Sequence, residues 1–112
     1  MKRLILALAC GIAPLAWAQE PAAEAAYLAQ NRVAMDRMMN DMMVRPTGDV
    51  DRDFVAMMVP HHQGAVDMAR SFLRYGTNEQ LRRLAQEIIV TQQQEIAVMR
   101  LAIGDAPPAD KK

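Results

Sequence analysis

Apolar residues recur at three- and four-residue intervals through three long stretches of this chain, and no alternating run of the kind that makes a strand interrupts them. The first stretch, from about Ala22 to Val44, has no internal Gly or Pro. It predicts a helix with a stripe of Leu28, Met35, Met39 and Met42, broadened on its two sides by Met38 and Met43. The segment RPTGD, residues 45 to 49, breaks the pattern with Pro and Gly. A second helix is predicted from about Asp51 to Tyr75, with Asp49 or Asp51 as its cap, Asp53 in its first turn and Gly76 as a left-handed stop. Its stripe reads Phe54, Met57, His61, Gly64, Met68 and Phe72, which points His61 toward the core. Pro60 lacks an N–H and crowds the Ala56 carbonyl, so this helix either kinks there or ends at Val59 and restarts.

Thr77 to Gln80 matches a capping box, and the helical pattern then continues to Ile103, where Gly104 closes it. The third stripe comprises Leu81, Leu84, Ala85, Ile88, Met99, Ala102 and Ile103, and it is interrupted by Gln92 and Glu95 on the same face. If Glu95 is inside, it needs a partner, because an unpaired buried carboxylate is strongly unfavourable; otherwise the helix is tilted and both residues stay wet at its rim. Three amphipathic helices with short connections predict an all-α antiparallel bundle in one domain, residues 19–104, followed by a disordered polar tail, 105–112. Three long helices leave an apolar edge exposed more easily than four do. Self-association to a larger bundle is therefore expected.

The N-terminus reads as a secretory signal: Lys2 and Arg3, an apolar run from Leu4 to Trp17, and Ala16-Trp17-Ala18 as a small-x-small cleavage site. The run is too short to span a membrane. Residues 1–18 are thus expected to be removed, giving an exported, periplasmic or secreted protein with no membrane span; Leu8-Ala9-Cys10-Gly11 offers a weaker lipoprotein alternative. Cleavage after Ala18 removes Cys10, the single cysteine, and with it any disulfide or thiolate site. It also takes the 13 basic residues down to 11 against 13 acidic ones, interspersed along the chain, which argues against a nucleic-acid partner.

Composition adds one decisive feature. From Gln19 onward there are nine methionines and five leucines, whereas a core built only for packing favours Leu. Five of the nine fall within Met35 to Met43. On a helix Met57 and His61 are four residues apart, Met58 and His61 three, and Met58 and His62 four, so sulfur and imidazole can reach one ion. Thioethers favour Cu(I), and imidazole serves both Cu(I) and Cu(II). Copper binding at His61, His62, Met57 and Met58 follows as the leading expectation, with Met35, Met38, Met39, Met42 and Met43 as a second, sulfur-only site. Core packing is the competing role for each methionine taken alone. A di-iron centre would need Glu-x-x-His motifs, and Met58 and Val59 stand where those glutamates would be. Ser71, the only serine, has no nucleophile context, Asp67 reads as solvated surface, and no enzyme activity is assigned.

The segment DFVAMMVPHHQGAVDMA, with GDVD before it and IIVTQQQEIAVM after it, resembles the small exported proteins of the domain-of-unknown-function family 305, which includes the CopM-like copper-binding proteins. The resemblance runs from about Met35 to Leu101. It implies a ferritin-like, four-helix type of fold, an exported location and, for some members, copper binding and copper tolerance. By position it carries over Met57, Met58, His61, His62 and Met68 from the central motif, and Gln92, Glu95 and Met99 from the last helix, with Glu95 orienting an imidazole or completing a shell. This chain shows three clear helices, so a fourth would come from a partner or a broken first helix. A copper-transfer protein is an expected partner. The rival expectation is a metal-free envelope interaction module with an adaptable Met-rich surface.

Overall fold

A computed structural model describes residues 19–105, which form three helices: α1 (Gln19–Asp41), α2 (Val50–Tyr75) and α3 (Glu79–Ala102). Residues 1–18, read above as a secretory signal, and the tail beyond Asp105 lie outside the described residues. Helix α1 stops three residues short of the expected Val44. Pro46 disfavours helical backbone at Arg45, and the last turn tightens, with Met43 N–H donating to the Asn40 carbonyl at 3.2 Å. Met42 and Met43 are therefore past the helix end rather than on its stripe.

Asp49 caps α2, its Oδ1 accepting from the backbone N–H groups of Asp51 (3.0 Å) and Arg52 (3.2 Å). Asp53 in the first turn ties back to the connection, accepting at Oδ1 from the Thr47 hydroxyl (2.7 Å) and backbone N–H (3.0 Å). That hydroxyl holds the Asp53 carboxyl below its ordinary value. Helix α2 runs on through Pro60 without a restart. Gly76 ends it with φ −76°, in extended rather than left-handed backbone, and a Cβ there would collide with the Phe72 ring. Packing of that ring explains the glycine. Asn78, not Thr77, caps α3, accepting from the N–H groups of Gln80 and Leu81, both at 3.0 Å. At the far end Gly104, with φ +80°, makes a Schellman closure: its N–H donates to the Leu101 carbonyl, and that of Asp105 to the Arg100 carbonyl.

Helix α2 is the middle of an open layer. Helices α1 and α3 lie antiparallel to it on opposite flanks and do not pack against each other. Toward α1, Gly64 admits Met38 so closely that an added Cβ would stand 2.6 Å from the Met38 sulfur, while Tyr27 packs edge-on to Phe72 and Gln30 donates to the Tyr75 hydroxyl at 2.8 Å. Toward α3, His62 meets Glu95, and Arg82 donates to the carbonyls of Leu73 (2.7 Å) and Gly76 (2.9 Å). The buried residues are few: Ala34 on α1; Val55, His62, Gly64, Val66, Ala69 and Ser71 on α2; Ala85 and Ile96 on α3.

This geometry corrects the expected stripes. A helix held on both flanks has two buried lines, and on α2 Phe54, Met57 and His61 lie between them, exposed. His62 is the inward histidine. On α3, Ile96 is buried although absent from the predicted stripe, whereas Leu81 and Leu84 are about half exposed, because only the line facing α2 is covered. Asp67 is not simply solvated: it faces Arg37 (3.7 Å) and Arg70 (3.8 Å) and accepts from Gln63 at 3.0 Å. No helix among the described residues is long and apolar enough to cross a membrane.

Candidate functional site

The two histidines share a turn of α2 and have opposite surroundings. His62 is nearly buried, and both of its ring nitrogens are engaged: Nδ1 with the Met58 carbonyl at 2.9 Å, Nε2 with Glu95 Oε2 at 2.7 Å. A carbonyl only accepts, so Nδ1 carries a proton, and a second proton must lie in the Nε2–Oε2 contact. The arrangement answers the question raised by Glu95. It stands half exposed at the rim of α3 with His62 as its partner. It also leaves His62 without a lone pair for a metal until Glu95 is displaced.

His61 is exposed, and no hydrogen bond to its ring exists among the described residues. The ring centroids of His61 and His62 are 6.1 Å apart at 62°. Met57, one turn earlier on the same side, is also exposed, while Met58 is half-buried on the side facing α3. The contact of Met38 with Gly64 sets the α1–α2 register and brings the half-buried Met42 level with Pro60 and His61. On α3, the half-buried Met99 lies one turn beyond Glu95 and Gln92 one turn before it.

A sequence model of the family described as Domain of unknown function (DUF305) matches residues 12–103. The chain belongs to the DUF305 family. No curated protein matches it.

In this DUF305 protein the candidate ligands divide. His62 and Glu95 meet between α2 and α3, with Met58 one turn before His62 and Met99 one turn beyond Glu95; His61 and Met57 are exposed on α2, and Met38 packs against Gly64 on the flank facing α1. Met35 and Met39 are exposed on α1, and Met43 is 78% exposed beyond its end, so the five methionines from Met35 to Met43 do not form one helical cluster. Met68, two turns from His61, lines a groove with Tyr27, Phe72 and Ile88. Among the described residues no three His, Cys, Asp or Glu side chains come together as a metal site. The sequence reading missed Asp67 as the charged hub of the α1–α2 contact. An isolated glycine in a helical stretch, Gly64, was the available sign of that close approach.

Proposed function

We propose that this protein binds copper in the cell envelope, chiefly as Cu(I), and sequesters it or passes it to a partner, protecting the cell from the free ion. It carries out no reaction of its own. The supporting observation is the contrast at the histidine pair: His62 is held by Met58 and Glu95, whereas His61 stands exposed and unbonded beside the exposed thioether of Met57. That pair of soft and borderline donors suits Cu(I), and no cysteine after Cys10 competes with it. Export rests on the N-terminal signal pattern.

Anaerobic titration with Cu(I) against a competing chelator tests the reading. The expected result is competition by the wild type, weakened in His61→Ala and in Met57→Leu with helicity retained. Absence of competition by the wild type overturns it. The exposed apolar side chains around His61 would then favour the interaction-module reading.

A further inference from the structure

The layer has two unlike faces. One is polar: Asp67, Arg70 and Arg74 of α2 project there with Arg37 of α1. The other carries Leu28, Met35 and Met39 of α1, Phe54 and Met57 of α2 and Leu84 of α3, each between 41% and 58% exposed. Leu84 also lines a groove of about 290 Å³ between α2 and α3, with Ala65, Met68, Phe72 and Ile88. At about 100° per residue, positions 54, 61, 65 and 72 fall on this side of α2, midway between its two buried lines, and none carries a fixed charge. The part of this side that carries Phe54 and His61 is left open between the two neighbours, while Phe72 meets Tyr27 of α1.

We infer that this face docks on the same face of a second copy, bringing the two His61 imidazoles together at the centre of the interface. Size is the first argument. The six side chains, each about half exposed, present on the order of 600 Å², close to the roughly 800 Å² per partner of a standard interface before the groove is counted. Charge is the second. A two-fold contact sets a patch against itself, which a patch of one charge resists; here the fixed charges of α2 lie on the opposite face, Glu95 of α3 is already bonded to His62, and Glu24 and Arg32, one turn either side of Leu28 on α1, are opposite in sign. Position is the third. His61 lies near the midpoint of α2, which is the middle helix of three, so a two-fold axis through the centre of the face passes beside it whatever the crossing angle. The copper consequence rests on the reading proposed above: among the described residues of one chain no three His, Cys, Asp or Glu side chains come together, and the pair of copies supplies two His61 imidazoles flanked by two Met57 sulfurs.

The test uses protein purified after expression of the full chain, with the N-terminus of the product read by mass spectrometry. Sedimentation equilibrium without copper should give twice the chain mass at micromolar concentration, and the chain mass for a Leu28→Glu/Leu84→Glu variant that keeps its helical circular dichroism. In a Cys10→Ser background, His61→Cys should form an oxidised covalent dimer, while Arg70→Cys on the polar face should not. A monomeric wild type overturns the inference, and so does a dimer in which the two cysteine variants cross-link equally or only Arg70→Cys does. Copper titration is read separately. Cross-linking through His61→Cys together with a dimeric wild type that does not compete for Cu(I) supports this interface and removes the copper reading. Undiminished Cu(I) binding by the monomeric variant leaves copper standing and overturns the shared site.

Discussion

Replacing Glu95 by Ala isolates the contact that distinguishes the two histidines. The substitution removes the acceptor 2.7 Å from His62 Nε2 and leaves the Nδ1 contact with Met58 in place. Hydrogen bonds to charged groups contribute about 1.5–3 kcal/mol. The Glu95 side chain is 51% exposed, so water competes for it and screens it, and the expected loss falls to about 1 kcal/mol. For a fold of this size that is a drop in Tm of roughly 4–8 °C. Glu95→Gln should cost about half as much, again on the order of a neutral hydrogen bond, since its amide can donate to an Nε2 that has given up its proton. Urea denaturation gives the energies, and nitrogen-15 spectra of the imidazoles report which ring nitrogen of His62 holds a proton. Cu(I) affinity should not fall in Glu95→Ala, because the carboxylate occupies the nitrogen a metal would need. A Glu95→Ala variant as stable as the wild type, with unchanged His62 spectra, would show that the contact does not hold the ring. A sharp loss of Cu(I) affinity would instead make Glu95 part of the metal site.

Three other predictions follow from the local geometry. Gly64→Ala gains up to about 1 kcal/mol of helix propensity but forces a Cβ against Met38, an overpacking that costs about 1–3 kcal/mol; it should destabilise the wild type and stabilise a Met38→Ala background, and equal effects in the two backgrounds would refute the close approach. Thr47→Ala should lower stability at neutral pH but not in strong acid: Asp53 is held below its ordinary value mainly by the Thr47 hydroxyl, so the stability it contributes is present above the usual carboxylate range and disappears as pH falls through the lowered folded value. A gap between the two proteins that persists unchanged in acid would refute this. Asn78→Ala should cost about 1 kcal/mol and Thr77→Ala much less in thermal melts, and the reverse order would restore Thr77 as the cap.

The helices were legible because their signals are local. Asp49 before an apolar stretch, the Pro and Gly between residues 45 and 49, and Gly104 after Ile103 each act within a turn, and the observed ends of α2 and α3 lie within one or two residues of those predicted. Errors arose where a tertiary contact decides. Thr77 and Asn78 are both capping residues, and sequence alone does not fix which one reaches the Gln80 and Leu81 N–H groups. Gly76 looks like a left-handed stop by type, but its role is set by the Phe72 ring.

The inversion of the histidine pair has a more general cause. A periodic apolar stripe gives the direction of burial when a helix has a single covered side, and α2 has two nearly opposite ones. Small residues suffice on the α1 side, where Gly64 and Ser71 are buried, so that flank contributes almost nothing apolar to the pattern. The stripe through Phe54, Met57, His61, Met68 and Phe72 then dominates, although its first half, Phe54 to His61, is left exposed by the helices of the same chain. The sequence reading took this stripe for the core of the chain, whereas Phe54, Met57 and His61 are exposed and His62 is buried. His62 is the inward histidine of the chain; if the dimer inferred above forms, His61 is the inward histidine of the assembly, and if sedimentation shows a monomer, the stripe is open surface.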